Sequence, residues 1–87
     1  MAKALVTGYG RGSALSNGDF EITVEYQVYD SGVNGGLTQF STAIYTAPAT
    51  TLGLVVSTLR TNAIAAVISD ASTMGYTLGV LDVVLLA

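Results

Sequence analysis

Two glutamates in the N-terminal half come closest to the carboxylate pair of an acid–base enzyme. Glu21 and Glu25 are four residues apart in a segment where polar and apolar residues alternate, so both are predicted to lie on one face of a β-strand. Paired carboxylates can act as general acid and general base. Acidic side chains on the solvent face of a strand more commonly discourage aggregation between sheet edges, and we assign both glutamates that role.

Two glycine-rich stretches have partial features of ligand-binding loops. Residues 8–12 follow a predicted strand, as a phosphate-binding loop does, but no Lys-Ser or Lys-Thr pair and no helix come after them. Asp30, Asn34 and Gly35 fit positions one, five and six of a calcium-binding EF-hand loop, whereas Ser41 stands where that loop has its bidentate glutamate. We therefore predict two hairpin connections and no metal or other cofactor.

Aromatic and basic side chains near these connections are candidates for contact with a partner protein. Tyr9 and Arg11 lie in the first glycine-rich stretch, and Tyr29 immediately precedes the second. Surface loops often carry binding residues, and tyrosines are more frequent as core or interface anchors than as catalytic acids. We name these three residues as possible partner contacts.

Composition excludes several classes of function. The 87 residues include no histidine and no cysteine, which excludes Ser-His-Asp and Cys-His nucleophile pairs, His/Cys zinc sites and disulfide bonds within the chain. Three basic residues against six acidic ones give a net charge of −3, too little positive charge for a nucleic-acid surface. We expect no catalytic activity and no nucleic-acid partner.

The sequence predicts neither a membrane span nor an export signal. Residues 52–68 are long enough to cross a bilayer but have Arg60 near their centre, and residues 78–87 are shorter than the roughly 20 residues that a spanning helix needs. The apolar run after Lys3 reaches glycines too early for the core of a signal peptide. We expect the protein to stay in the cytoplasm of the producing cell or in a particle assembled there.

The hydrophobic pattern changes at Pro48 from the period of a strand to that of a helix. Residues 19–30 are the clearest strand, because five alternating apolar side chains share one face that we expect to lie against the helix. These are Phe20, Ile22, Val24, Tyr26 and Val28. Residues 2–7 and 37–47 are predicted to be the first and third strands, joined to it by the glycine-rich connections in an antiparallel meander.

Residues 51–74 are predicted to form a helix packed on one sheet face. Apolar residues recur at helical spacing from Leu52 onward, and Gly75 is suited to end the helix in a left-handed conformation. Asp70 conflicts with this pattern, because the spacing places it on the core-facing side near the C-terminus, where a negative charge opposes the helix dipole. Either the helix ends near Ser69, or Asp70 caps or pairs with another group.

Residues 77–87 are predicted to be a final strand, which gives a single α+β domain with the order β-β-β-α-β. A right-handed crossover through the helix would return this strand parallel to the third. One helix covers only one face of the sheet, so apolar side chains should remain exposed on the far side of the last strand and on the outer side of the helix. The predicted interface residues are Leu78, Val80, Val84 and Leu86 on the strand and Leu54, Ile64 and Ile68 on the helix.

The balance of apolar and charged residues predicts self-association. Apolar residues are 51% of the chain and charged residues only 10%, so few charges are present to interrupt an exposed apolar patch. Contiguous apolar surface of this kind usually marks an interaction site. We predict a homo-oligomer, and pairing of the two apolar surfaces between different copies would build a ring or a tube.

The composition and several segments give the chain a family resemblance. The start Met-Ala-Lys, the sparsely charged Thr/Gly/Ala-rich composition, the strand at residues 20–26 and the alanine-rich segment at 62–67 resemble small structural proteins of bacteriophage heads and tails. The resemblance extends over most of the chain but includes no specific motif, so it assigns no site residue. It implies a many-copy virion component, such as a capsid decoration, neck or tail protein, with other virion proteins as further partners.

Two functions of other classes stay open. A small inhibitor or adaptor that binds one host protein would also suit a chain with low charge and exposed tyrosines. An enzyme that uses carboxylates and tyrosines would need a pocket between subunits, because a chain of 87 residues offers little room for one. The native mass of the protein separates a regular oligomer from a monomeric inhibitor.

Overall fold

A four-stranded sheet and one helix make up residues 2–48 and 56–86, which are the residues described by a computed structural model of the protein. The strands are β1 (Lys3–Ala14), β2 (Asp19–Tyr29), β3 (Gln39–Pro48) and β4 (Val83–Leu85), and the helix α1 (Val56–Thr73) lies between β3 and β4 in the chain. The predicted α+β class and the order β-β-β-α-β are confirmed.

The sheet is mixed, with the strand order β3-β2-β1-β4. β2 pairs antiparallel with both β1 and β3, as the predicted meander requires. β4 pairs parallel with β1 through the register Ala4–Val83, Leu5–Val84 and Val6–Leu85. β4 is therefore parallel in direction to β3, as predicted, but it is separated from β3 by two strands and has β1 as its neighbour.

β1 continues through the first glycine-rich stretch, so the prediction of a loop at residues 8–12 is wrong. Gly8 and Gly10 pair with Glu25 and Thr23 of β2, and register shifts fall between Val6 and Gly8 and farther along the strand. A Cβ at Gly10 would lie 2.6 Å from Thr23 Oγ1, so glycine permits an approach of the two backbones that other residues would obstruct. Tyr9 and Arg11 accordingly belong to a strand.

The hairpin turn between β1 and β2 is formed by the residues that follow this stretch. The Gly18 N–H donates to the Leu15 carbonyl at 3.0 Å, and the Asp19 N–H donates to Asn17 Oδ1 at 3.1 Å. Gly18 has a φ of +91°, which glycine adopts without the steric cost that a side chain would bring. The turn is shorter than predicted because the strands continue almost to Asn17.

The core lies between the sheet and α1, and it confirms the alternation of β2. Val24, Tyr26 and Val28 are buried against helix residues Ala63 and Val67. Ile22 is buried on the same face, and Phe20 is half-buried at its end. The face predicted to lie against the helix is thus the face that does so.

The apolar arc of α1 is wider than the predicted one. The core-facing residues of the described part of the helix are Ala63, Val67 and Ala71, with Ile64 and Ile68 packed beside them. Ile64 and Ile68, predicted to face outward, are instead half-buried against the core. A helix on a wide sheet contacts it with a broad arc, which takes in the residue next to each fully buried position. Leu54 and the predicted start of the helix lie outside the described residues.

The C-terminal end of α1 agrees with the prediction from Gly75. The Tyr76 N–H donates to the Ala71 carbonyl at 3.0 Å and the Gly75 N–H to the Ser72 carbonyl at 3.2 Å. Gly75 has a φ of +92°, so these two bonds form the Schellman motif that closes many helices. Since α1 extends through Asp70 to Thr73, the alternative in which it ends near Ser69 is wrong.

The segment after α1 differs most from its prediction. Only Val83–Leu85 is a strand, and Val80–Asp82 forms a 3₁₀ turn. Leu78, predicted to face away from the helix, is only 8% exposed and belongs to the core. Because the chain turns at residues 79–82, the alternation that a continuous strand would impose does not apply before Val83.

Candidate assembly surfaces

The sheet face turned away from α1 has an acidic and polar centre. Glu21 and Glu25 of β2 lie on this face in register with Thr46 and Thr42 of β3, as predicted. Four residues of extended strand separate the two glutamates by about 13 Å. The carboxyl pairs of glycoside hydrolases lie about 5 to 9.5 Å apart and those of aspartic proteases closer still, so a spacing of about 13 Å does not suit joint acid–base chemistry of either kind.

Apolar side chains flank this polar centre on both sides. On β3, Phe40 is 74% and Ile44 58% exposed, and on β4 Val84 is 55% exposed beside the half-buried Leu5 of β1. Tyr29 at the end of β2 is also exposed, which suits a partner contact. We call this face, with Phe40, Ile44, Tyr29 and Val84, the outer sheet face. The sequence pattern predicts that Phe40 and Ile44 share a face, but it does not predict their exposure.

A second exposed apolar group surrounds the 3₁₀ turn before β4. Val80, Leu81 and Leu86 are all largely exposed, Leu81 most of all. The Asp82 carboxylate accepts bonds from Lys3 Nζ and from the Gly79 N–H, each at 2.8 Å. The bond from Lys3 and then that from Gly79 hold the pKa of Asp82 below its usual range. These bonds fix the turn in a form that presents Leu81 to solvent, whereas the alternation of a continuous strand would turn this residue inward.

The helix joins the sheet through a polar contact at Asp70. Tyr26 Oη donates to Asp70 Oδ2 at 2.5 Å, and Ser41 Oγ donates to the same oxygen at 3.1 Å. Burial, and then the bond to Asp70, raise the pKa of Tyr26 well above its ordinary value, so the phenol stays protonated and remains a donor. The helix continues past Asp70, and the Asp70 side chain pairs with other groups, which is the second of the two predicted alternatives. Because Tyr26 is only 1% exposed, it has a structural rather than a substrate-facing position.

A groove of about 530 Å³ lies between the edge strand β3 and α1. Ile44, Tyr45 and Thr46 line it from the strand, and Ala65 and Ser69 are among the residues that line it from the helix. Tyr45 Oη donates to the Leu59 carbonyl at 3.5 Å, and burial raises the pKa of Tyr45. Asp70 also lines the groove, with its Oδ2 engaged by Tyr26 and Ser41.

The acidic side chain of the second glycine-rich loop is hydrogen-bonded within that loop. Asp30 Oδ1 accepts the Gly32 N–H at 2.8 Å, and Asn34, Gly35 and Gly36 all have positive φ. Within residues 2–48 and 56–86, no three acidic side chains gather into a group that could bind a metal ion. In that same part of the chain, no helix has the length and apolar character to cross a bilayer.

Comparison of this chain with known protein families, with curated proteins and with solved structures found no match.

Proposed function

We propose that this protein is a non-enzymatic structural subunit that assembles with copies of itself into a homo-oligomer. The observation that carries the proposal is the outer sheet face, where Phe40, Ile44 and Val84 are each more than half exposed. A single helix covers the opposite face of the sheet, so the described part of this chain has no second layer to place on the outer one. Exposed apolar surface of this kind is typical of protein–protein contacts.

The energetic reason for assembly is the burial of these side chains. Covering one large apolar side chain completely contributes about 1.5 to 3 kcal/mol. Several of them on one face together are enough to offset much of the entropy lost on association. The polar centre of the face, including Thr23 and Gln27, would supply hydrogen bonds in the same contact.

Within this function we further propose a place in a virion, as a bacteriophage head, neck or tail component. The support is the resemblance of the sequence to such proteins, together with a small domain that exposes apolar surface in two places. Negative-stain electron microscopy of the purified protein tests this part of the proposal. Rings, tubes or sheets of uniform width are expected, and a dispersed monomer contradicts it.

The assembly itself is tested by a charge placed on the outer sheet face. Val84→Asp should weaken self-association at least tenfold, because the loss of about 1.4 kcal/mol or more corresponds to that factor. Ser16→Asp adds the same charge in the exposed turn between β1 and β2, at the opposite end of β1 from Val84, and is the control. Sedimentation analysis should show a lower mass, or precipitation, for Val84→Asp alone.

A monomeric wild type would contradict the assembly proposal. If the wild type sediments as a monomer at micromolar concentration and Val84→Asp is equally soluble and stable, the alternative of a small inhibitor or adaptor for one host protein is favoured. Tyr29 and the other exposed side chains of the outer sheet face would then be the contact with that host protein.

A further inference from the structure

The β3 edge of the sheet is long, regular and unprotected. β3 pairs with β2 over ten consecutive residue pairs, from Asp19–Pro48 to Val28–Gln39, without a register shift. As the end strand of the sheet, it leaves alternate backbone N–H and C=O groups on its other side without a strand partner among residues 2–48 and 56–86. From Gln39 to Ala47 it has no charged residue and no proline, which are the usual means of protecting an edge.

The opposite edge of the sheet, formed by β4 and the free part of β1, has features that hinder the addition of another strand. β4 has only three residues, and beyond Val6 the free side of β1 has two register shifts and three glycines. Short edge strands and bulges both hinder the addition of another strand. A strand that adds to the β3 edge should be about as long and as regular as β3 itself. In a second copy of the chain, β3 is the edge strand that meets this requirement.

The sequence of β3 is complementary to itself in one antiparallel register. If Thr42 lies opposite Thr42 of a second copy, Phe40 lies opposite Ile44 on the outer sheet face and Ile44 opposite Phe40. On the helix side, Ser41 lies opposite Ala43 and Gln39 opposite Tyr45. Aromatic and β-branched residues that face each other across strands stabilise the pairing, so the exposed pair on β3 is covered by its own symmetry mate.

We propose that β3 pairs antiparallel with β3 of a second copy around a twofold axis at Thr42, which joins two four-stranded sheets into one of eight strands. This inference rests on the proposed assembly function and names one of its contacts. It leaves Val84 and Leu81, near the opposite edge, free for other contacts, so the dimer could be the unit from which a larger particle is built.

Charge on the outer sheet face and shape beside the edge allow this contact. Glu25 of one copy and Glu25 of the other would be three strand spacings apart, about 14 Å, which is beyond the screening length of about 8 Å at physiological salt. Edge pairing by itself is smaller than the about 800 Å² per partner of a standard interface. The groove beside β3 adds contact area, because its exposed helix residues Ala65 and Ser69 are small and permit close approach of the second α1.

Single cysteines test the register directly, because the chain has none of its own. Thr42→Cys places two thiols opposite each other across the twofold axis, within the Cα separation of about 4.4 to 6.8 Å that a disulfide requires. Thr46→Cys is a matched control, also exposed on the outer sheet face of β3, but its two copies would be about 26 Å apart. Mild oxidation should give a covalent dimer of Thr42→Cys and not of Thr46→Cys. Cross-linking of both variants equally, or of neither, overturns the proposed pairing.

A lysine at position 42 or 46 gives an independent test of the β3–β3 pairing. Thr42→Lys places two ammonium groups against each other at the axis, whereas Thr46→Lys places one beside Thr38. Each new lysine has a glutamate of β2 as its cross-strand neighbour within its own chain, so the effect on the monomer is matched. Sedimentation should show at least a tenfold weaker dimer for Thr42→Lys than for Thr46→Lys.

The two proposals fail in different ways. If Val84→Asp lowers the native mass but Thr42→Lys and Thr46→Lys behave alike and neither cysteine cross-links, assembly stands and β3 pairing is wrong. If the wild type is a monomer and no cross-link forms, both proposals are wrong. The cysteine variants change one small side chain for another, so their result holds even if a lysine variant fails to fold.

Discussion

At the scale of residues, one carboxylate connects the helix to two strands. Asp70 of α1 accepts hydrogen bonds from Tyr26 of β2 and Ser41 of β3 at the same oxygen. Hydrogen bonds to a charged group contribute about 1.5 to 3 kcal/mol, more than bonds between neutral groups. This contact offsets the unfavourable position of a negative charge in the last turns of a helix.

Removal of the Tyr26 hydroxyl should show how much the bond to Asp70 contributes to stability. We expect Tyr26→Phe to lower the free energy of unfolding by about 1 to 3 kcal/mol, because Asp70 loses its shorter bond while the ring stays packed. Tyr29→Phe removes an exposed phenol and should change stability by less than about 0.5 kcal/mol. Urea denaturation of the three proteins at pH 7 provides the comparison, and equal losses in both variants would contradict the role of Asp70.

The same variant should alter the response to alkali. The pKa of Tyr26 is higher in the folded protein than the ordinary value of about 10, so the folded state keeps a proton that the unfolded state releases. Its contribution to stability is complete below pH 10 and decreases as the pH rises above that value. Unfolding free energies measured between pH 9 and 11 should therefore fall less steeply for Tyr26→Phe, with Tyr45 accounting for part of the remaining slope.

At the scale of elements, the pairing of β1 with β2 depends on glycine. The Thr23 hydroxyl donates to the Gly10 carbonyl at 3.1 Å, and this same hydroxyl occupies the space that a Cβ at Gly10 would need. At Gly8 the nearest atom to an added Cβ is Glu25 Oε2 at 3.5 Å, an ordinary contact. The two glycines of one strand thus differ in what they tolerate.

Alanine substitutions at Gly10 and Gly8 should have different effects on the free energy of unfolding. Gly10→Ala should lower the free energy of unfolding by about 1 to 3 kcal/mol, because Thr23 must rotate away and lose its hydrogen bond. Gly8→Ala should have no effect or stabilise by up to about 1 kcal/mol, by restricting the unfolded chain. The double variant Gly10→Ala/Thr23→Ala should be more stable than the sum of its single changes predicts, and strict additivity would show that the close approach is not the cause.

At the scale of the whole molecule, the chain divides into a covered and an uncovered side. Helix α1 covers the inner sheet face, and no other described element covers the outer sheet face or pairs with the β3 edge. None of the three candidate ligand sites gathers ligands in the described residues. The Asp30 carboxylate is bonded to its own turn, the two glutamates lie far apart, and the first glycine-rich stretch is part of a strand.

Small ligands should therefore leave the thermal stability unchanged. We expect the melting temperature to be the same, within error, in calcium, magnesium or ATP at millimolar concentration and in a chelator. A ligand that binds only the folded state stabilises it by mass action, by about 2.7 kcal/mol at one hundred times its Kd, which for a domain of this size is a rise of many degrees. Such a rise measured by calorimetry would reveal a binding site and contradict this expectation.

Local features of the sequence determined much of the fold. The period-two pattern from Phe20 to Val28 specifies which face of β2 is buried, because one residue of slip would move every side chain to the other face. Gly75 specifies the end of α1, because a left-handed residue is favoured where a helix closes. The lack of histidine and cysteine excludes whole classes of chemistry whatever fold the chain adopts. Each of these depends on composition or on residues close together in the chain.

Tertiary structure decided the features that depend on which distant segments meet. Gly10 belongs to a strand only because Thr23 approaches it from β2, and β4 lies beside β1 only because α1 crosses the sheet to that edge. The partners of Asp70 are 44 and 29 residues away, so no local pattern could name them. Leu78 is buried because the chain turns before β4, whereas a continuous strand would have exposed it. Pairing energy between remote segments, rather than local preference, determined each of these outcomes.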